Sequence, residues 1–469
     1  MDVLVVGAGP AGISAALHAR ELGGDVTLLE ADSAGGTSLN RGPAPVRTLA
    51  RAARLMRDWS LWESFGLEGG PPRPNLEAVL ANSSRVARHA HDRKDISGHI
   101  RHQGIDLAER LGPVSFVDSH TMRAGDGRIW NADRVILAVG GSPAALRIPG
   151  SELALTYGDI RNLSALPARV AVVGGSDTGC QIASIFADFG AEVVLFEAGR
   201  RLVPTADESV SSYLGGAFER RGMRVHLETL VEELQTREAG IRVAYRKGSA
   251  TSHAGADAVF FAVGWLGNVD GLGLESAGVR TDRHAVAVDD CLRTNVGHIF
   301  AVGDVNGRSM LVQSARLEGR VAAHNAVNGS DQKMSYDVVP SASFTDPEYG
   351  SVGLTEVEAG RDHEAVVGVA RYDDLLRPVA DGRPDGFCKL IVDADQHTVL
   401  GGHVIGEYSA EIIQMVAACM AAGMHVEQIA ELPLAFPTFT EGVTMAAQKV
   451  CRALGVGNFP QVWSYLGEE

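Results

Sequence analysis

Apolar residues along this chain gather into short unbroken blocks that precede stretches of helical composition. Val3-Leu4-Val5-Val6 leads into Ile13-Ser14-Ala15-Ala16-Leu17, and Asp25-Val26-Thr27-Leu28-Leu29 follows. The order predicts strand, helix, strand. The same order returns at Arg169-Val170-Ala171-Val172-Val173 and Val193-Val194-Leu195-Phe196. A late apolar stretch, Ile412 to Met424, follows Glu411 and contains Gln414. It is too short and too polar to span a membrane, so it predicts a buried helix.

Between the first strand and its helix stands Gly7-Ala8-Gly9-Pro10-Ala11-Gly12, and the second strand ends in Glu30. Gly7 permits the tight turn, Gly9 lets a pyrophosphate reach backbone N–H groups at the helix N-terminus, and Gly12 allows close helix–strand packing. Glu30 is placed to accept from a ribose hydroxyl. The later copy reads Gly174-Gly175-Ser176-Asp177-Thr178-Gly179 and ends in Glu197. First glycine and acid are 23 positions apart in both copies, 30 − 7 and 197 − 174. We read them as two mononucleotide-binding units. Two doubly wound domains with only one occupied remain an open alternative.

Three further strand-like segments end in the same tripeptide: Ala138-Val139-Gly140, Ala262-Val263-Gly264 and Ala301-Val302-Gly303. The simplest arrangement has the first end the opening part of one domain and the second end an inserted domain. The third then returns the chain to the first domain. Asp304 falls just past a strand's C-terminal end, where α/β folds place ligand groups.

At 469 residues the chain exceeds one ordinary core. Its 42 Lys and Arg against 58 Asp and Glu give −16, with no basic block, so neither nucleic acid nor an anionic membrane surface is an expected partner. Met1 opens directly on a strand and leaves no room for a secretory leader, so a cytoplasmic location is expected. The five cysteines, at 180, 291, 388, 419 and 451, have neither C-x-x-C nor metal-ligand spacing. His89, His91, His99 and His102 lack paired carboxylates and read as solvated or structural, so no metal is expected.

With the Gly turns, several other segments stand in a familiar order: Gly35-Gly36-Thr37-Ser38-Leu39-Asn40, Gly264 with Asn268, Ile299-Phe300-Ala301-Val302-Gly303-Asp304, and Phe344-Thr345-Asp346-Pro347-Glu348. Over nearly its whole length the chain resembles the pyridine nucleotide-disulfide oxidoreductases, among them dihydrolipoamide dehydrogenase, glutathione reductase and mercuric reductase. The resemblance implies an α/β fold of two Rossmann-like, doubly wound, three-layer dinucleotide-binding domains plus a C-terminal α+β dimerisation domain. The expected boundaries are 1–148 and 276–335 for an FAD-binding domain in two parts, 149–275 for an inserted NAD(P)-binding domain, and 336–469 for dimerisation. It also implies FAD on Gly7, Gly9, Gly12, Glu30, Gly36, Thr37, Arg47, Ala138, Gly140, Gly303 and Asp304. NAD(P)H would lie on Gly174, Gly179, Glu197 and Gly264, with NADH favoured by the acid at 197. A homodimer whose active site borrows residues from the partner subunit is expected.

The departures concern the chemistry. Where that family has a cysteine, four residues and a second cysteine, this chain has Ser38, Leu39-Asn40-Arg41-Gly42 and Pro43. A serine hydroxyl cannot form the thiolate, and proline offers no nucleophile, so dithiol–disulfide exchange at this position is excluded. Pro43 is also expected to disturb the helix there. Phe436 stands where the family's C-terminal histidine protonates the departing thiol. The ending Gln461-Val462-Trp463-Ser464-Tyr465-Leu466-Gly467-Glu468-Glu469 lacks the cysteines that a mercuric reductase needs. The family's flavin-side lysine falls at Arg47 and its carboxylate partner at Gln181. Ser176, Asp177 and Trp265 depart from the nucleotide-site pattern.

Ser38, Arg47, Phe436 and Glu441 are the candidate catalytic residues. The resulting expectation is an FAD enzyme that takes hydride from NAD(P)H and reduces a small non-disulfide acceptor, such as a quinone, another organic oxidant or O₂. A nicotinamide-independent FAD oxidase or dehydrogenase and a catalytically silent FAD-binding dimer stay open beside it.

Overall fold

The computed structural model describes residues 1–40, 42–457 and 459; the side chains of residues 43–45, 90, 91 and 94 are outside that description, as are Arg41 and the segment 461–469. The chain divides into two units, the first comprising Met1–Leu49, Glu77–Ala144 and Gly264–Tyr336.

In the first unit the apolar blocks pair as a five-stranded sheet in the order Ile299–Ala301, Arg134–Leu137, Asp2–Val6, Asp25–Leu29, Asp106–Ala108. Every pairing is parallel. Strand periodicity sends Val3, Val5, Val26, Leu28, Ile136 and Phe300 to one face, and Leu4, Val6, Leu29, Val135, Leu137 and Ile299 to the other. Both faces are buried, which is why these strands read as unbroken apolar runs. Helices Pro10–Glu21 and Val312–Asn328 cover the first face with small residues, Ala11, Ala15, Ala19, Ala315, Ala322 and Ala326. Their backbones come so close that a Cβ on Gly319 would lie 2.3 Å from the Ala11 carbonyl oxygen. The three-stranded antiparallel sheet Val114–Phe116, Thr121–Ala124, Ile129–Asn131 supplies Val114, Phe116 and Met122 to the second face, completing three layers.

The second unit comprises Ala50–Leu76, Ala145–Val263 and Asp337–Glu469. It repeats the plan with a parallel sheet ordered Arg224–His226, Glu192–Phe196, Arg169–Val173, Ala258–Phe261. Helix Asp177–Asp188 follows its Gly turn, and an antiparallel sheet, Thr229–Arg237, Gly240–Lys247 and Ala250–Ala256, joins the core of Ala171, Val173, Val194 and Phe196. Beyond Asp337 lies a five-stranded antiparallel sheet ordered Ser341–Ser343, Tyr349–Gly353, Val399–Gly406, Gly386–Asp393, Ala365–Arg371. Helix Ser409–Ala421 packs its buried face, Ile412, Ile413 and Val416, into that region's core, as the late apolar stretch predicted. Among the described residues no helix is long and apolar enough to cross a membrane.

Around Pro43 the helical path is interrupted, in line with the expected disturbance, and then resumes. Helix Gly36–Asn40 stops, the Gly42 N–H returns to the Thr37 carbonyl at 2.7 Å, and a new helix, Pro43–Arg57, begins at the proline. Proline at the first helical position forfeits only an N–H that has no intrahelical partner, so Pro43, past the interruption, also starts the next helix.

Candidate functional site: two glycine turns

Each Gly turn is held open by what lies beneath it. Gly7 has φ +103° and Gly174 φ +106°, a region that a side chain rarely adopts. A Cβ on Gly12 would lie 1.8 Å from the Gly7 carbonyl oxygen, and one on Gly179 1.8 Å from that of Gly174. Close helix–strand approach therefore demands glycine at the third position in both copies. Ala138 and Ala262 back the first glycines in the same way, with carbonyl oxygens 2.4 Å and 2.2 Å from the built Cβ atoms.

The acids behave identically. Glu30 accepts from the N–H groups of Ala8 (2.7 Å) and Asp32 (2.9 Å). Glu197 accepts from Gly175 (2.6 Å) and Gly199 (2.6 Å). Each carboxylate braces the turn and keeps lone pairs for a ribose hydroxyl. Neither following helix has a side-chain cap on its first N–H groups, which leaves donors of the kind a pyrophosphate accepts.

In the first unit Gly36 lies against the turn: a Cβ there would be 2.7 Å from Gly9 Cα, and Gly35 N–H bonds the Ala8 carbonyl at 2.8 Å. Gly140 has open space at its missing Cβ, and a Cβ on the adjoining Gly141 would lie 3.0 Å from the Asp304 Cβ. Asn268 ties this corner to strand Arg134–Leu137 by donating to the Val139 carbonyl at 2.9 Å and accepting from Ser142 at 2.7 Å. Gly303 and Asp304 form the turn after strand Ile299–Ala301, and burial pushes the Asp304 carboxyl above its usual range. The structure thus groups Gly7, Gly9, Gly36 and Ala138 around one turn, and sets Gly141, the residue after Gly140, against Asp304.

Sequence reasoning missed the group that fixes the Asp304 turn. Glu318 is wholly buried. It accepts from Gly303 N–H at 2.6 Å, Asn306 at 2.7 Å and the Tyr336 hydroxyl at 2.8 Å, while burial raises its carboxyl. Its signal was a lone acid among Ala315, Gly319, Ala322 and Ala326, on the small-residue face of a helix.

Ser38 is half-buried, and its hydroxyl donates to the Gly35 carbonyl at 3.3 Å. Arg47 is exposed on helix Pro43–Arg57. Phe436 and Glu441 belong to the second unit. Phe439 anchors their loop by edge contacts with Tyr372 and Tyr408, with centroids 5.4 and 5.0 Å apart, while Phe436 is 70% exposed. Glu441 opens helix Glu441–Leu454, with burial raising its carboxyl and one oxygen, Oε2, buried without a partner. All five cysteines are buried and unpaired, and none is near Ser38 in sequence.

The second turn departs from the first in its furniture. Ser176 has φ −80°, ψ −175°, against −80° and −174° for Gly9, so serine is accepted without altering the turn. Asp177 accepts from the Tyr349 hydroxyl, a partner that the sequence pattern did not indicate. Gly264 keeps a positive φ with open space at its missing Cβ. Among the described residues, His397, His425 and Glu427 form one grouping of metal-ligand type. There Glu427 already engages His397 Nδ1 at 2.5 Å, and the His425 side chain caps helix Val426–Ala430.

The sequence matches the pyridine nucleotide-disulphide oxidoreductase family over residues 1–319 and that family's dimerisation domain over residues 339–447. This chain belongs to that family. It is 30% identical to the dihydrolipoyl dehydrogenase of Zymomonas mobilis, covering 94% of this chain and 96% of that protein. It is likewise 30% identical to that of Chlorobaculum tepidum, with 97% and 98% covered. In fold it is similar to LpdA from Mycobacterium tuberculosis, with TM-score 0.86, 24% identity, and 96% and 99% of the two chains covered. The HOCl-induced flavoprotein disulfide reductase RclA from Escherichia coli gives 0.82 at 23% identity, with 96% and 100% covered. Members of the pyridine nucleotide-disulphide oxidoreductase family are FAD-dependent oxidoreductases that use NAD(H), and this chain is an oxidoreductase of that kind. Its two uncapped helix N-termini and open glycine turns fit both nucleotides.

Proposed function

We propose that this member is a homodimeric NADH-dependent oxidoreductase that delivers electrons to a small non-disulfide acceptor: a quinone, another organic oxidant or O₂. The observation that carries this reading is Ser38. It stands where a thiol would be required, its hydroxyl is directed to the Gly35 carbonyl, and every cysteine of the chain is buried elsewhere. Bound FAD supplies the two-electron chemistry.

The residues of the chain then bind and orient. Gly7, Gly9, Gly12, Gly36 and Glu30 would hold the adenosine and pyrophosphate end of FAD, and Glu318 would position Asp304 toward its ribityl chain. Gly174, Gly179 and Glu197 would hold NADH, with the Glu197 carboxylate disfavouring a 2′-phosphate. Preservation of the turn geometry at Ser176 supports a working nicotinamide site over a nicotinamide-independent enzyme. Arg47 would offer positive charge where negative charge develops. Phe436 of the partner subunit would cover the acceptor site, which accords with its exposure in one chain.

The test is anaerobic stopped-flow mixing of the FAD-loaded enzyme with NADH and, separately, NADPH, followed by a benzoquinone or lipoamide. NADH should bleach the oxidised flavin band faster than NADPH, and the quinone but not lipoamide should restore it. Absence of bleaching at about 1 mM of either nucleotide would overturn the reading.

A further inference from the structure

A cavity of about 260 Å³ lies within the second unit; its lining includes no residue of the glycine turn there and carries more cations than acids. Five guanidinium groups line it, those of Arg54, Arg57, Arg220, Arg221 and Arg383, against three carboxylates, those of Asp346, Asp385 and Glu407. This is a local reversal in a chain of net charge −16.

Four of these arginines are fixed in place. Arg54 pairs with Glu407, Arg57 with Asp346, and Arg383 with Asp58. Arg221 pairs with Asp188 and also donates to the Asp346 carbonyl and the Ser184 hydroxyl. Their side chains are between 13% and 29% exposed. Asp58 and Asp188, which hold two of them, are not part of the lining. A guanidinium has more N–H donors than one carboxylate can take, so each paired arginine is held in place and keeps donors beyond its ion pair.

The fifth arginine differs. Arg220 has no carboxylate partner among the described residues and lies over the Tyr213 ring, 5.7 Å from its centroid. It is exposed, while the other four are half-buried.

We propose that this cavity is a binding site for a small multiply charged oxyanion, a polyphosphate or a polycarboxylate, with Arg220 as the mobile contact that closes on it. Pre-positioned guanidinium forks suit bidentate recognition of such groups, and their rigidity reduces the ordering cost on binding. The site is independent of the redox reading above.

The test uses FAD-loaded enzyme held in saturating NAD⁺, so that the dinucleotide turns are filled, in a buffer free of phosphate and sulfate. Pyrophosphate and citrate are titrated calorimetrically into wild type, Arg220→Ala and Arg220→Lys. Saturable binding of either anion is expected, weakened about tenfold by Arg220→Ala and largely retained by Arg220→Lys, with thermal unfolding unchanged. The tighter of the two anions names the class. No saturable binding of either below about 1 mM, or binding that Arg220→Ala leaves unchanged, overturns the proposal.

Discussion

The turns Gly7–Gly12 and Gly174–Gly179 share a frame and differ in what leans on it. Their N-cap dihedrals agree within a degree, and their acids brace them with the same pair of backbone bonds. The first turn meets mostly backbone, with Gly36 against Gly9. The second meets side chains: Tyr349 on Asp177, and Leu202 and Glu197 crowding Gly175. The frame is therefore set by packing under the turn, through the third glycine. The residues at the cap and first helical position can then change the chemistry of the site at little cost to the fold.

The strongest way to break this comparison is Gly12→Ala and Gly179→Ala. Each new methyl would meet a carbonyl oxygen at 1.8 Å, and each is expected to cost about 3 kcal/mol or more. The first should lose FAD on purification. The second should keep its yellow colour and lose NADH-dependent bleaching. Tolerance of one but not the other, read by flavin content and thermal unfolding, would show that the frames are not equivalent.

A smaller effect sharpens the difference. Gly9→Ser should weaken FAD retention about tenfold: a Cβ there is tolerated by the fold, meeting only Gly36 Cα at 3.7 Å, but the side chain would stand where the pyrophosphate approaches the backbone. Ser176→Gly should lower the KM for NADH about threefold with kcat unchanged. An unchanged KM would mean that the serine hydroxyl points clear of the nucleotide.

The weakest effect lies at the far ends of the two helices. Helix Pro10–Glu21 ends in Glu21, which is 73% exposed and beside His18 at 3.1 Å. Helix Asp177–Asp188 ends in a buried carboxyl paired with Arg221. Burial, and repulsion from Asp346, push Asp188 from 3.8 up to about 6 against the pull of Arg221. The folded protein thus binds that proton more tightly than the unfolded chain does. The associated stability is present below about pH 4 and is lost as pH rises through about 6. Wild type should lose stability relative to Asp188→Asn across that interval in thermal unfolding, whereas Glu21→Gln should follow wild type. A flat difference for Asp188→Asn would remove the contrast.

Much of this was legible in the residues. Unbroken apolar blocks, two Gly turns with equal spacing to an acid, and three Ala-Val-Gly segments specify local conformation and burial, both of which depend on near neighbours. Three features were not legible: Pro43 opening a helix, Glu318 under the Asp304 turn, and Tyr349 on Asp177. Each joins or reorganises positions whose relation depends on chain path. Glu318 could have been suspected from its setting on an alanine face, whereas Tyr349 lies 172 positions from its partner.

The sequence by itself determined the strand–turn–helix units, the family and the absence of a thiol pair, because glycine, proline, serine and cysteine carry their conformational or chemical limits wherever they stand. Only the tertiary structure decided that Ser176 leaves its turn undistorted, that a buried carboxylate holds the Asp304 corner, and that arginines from residues 54 to 383 face one cavity. Those outcomes depend on distances between segments far apart in the chain, which no local preference encodes.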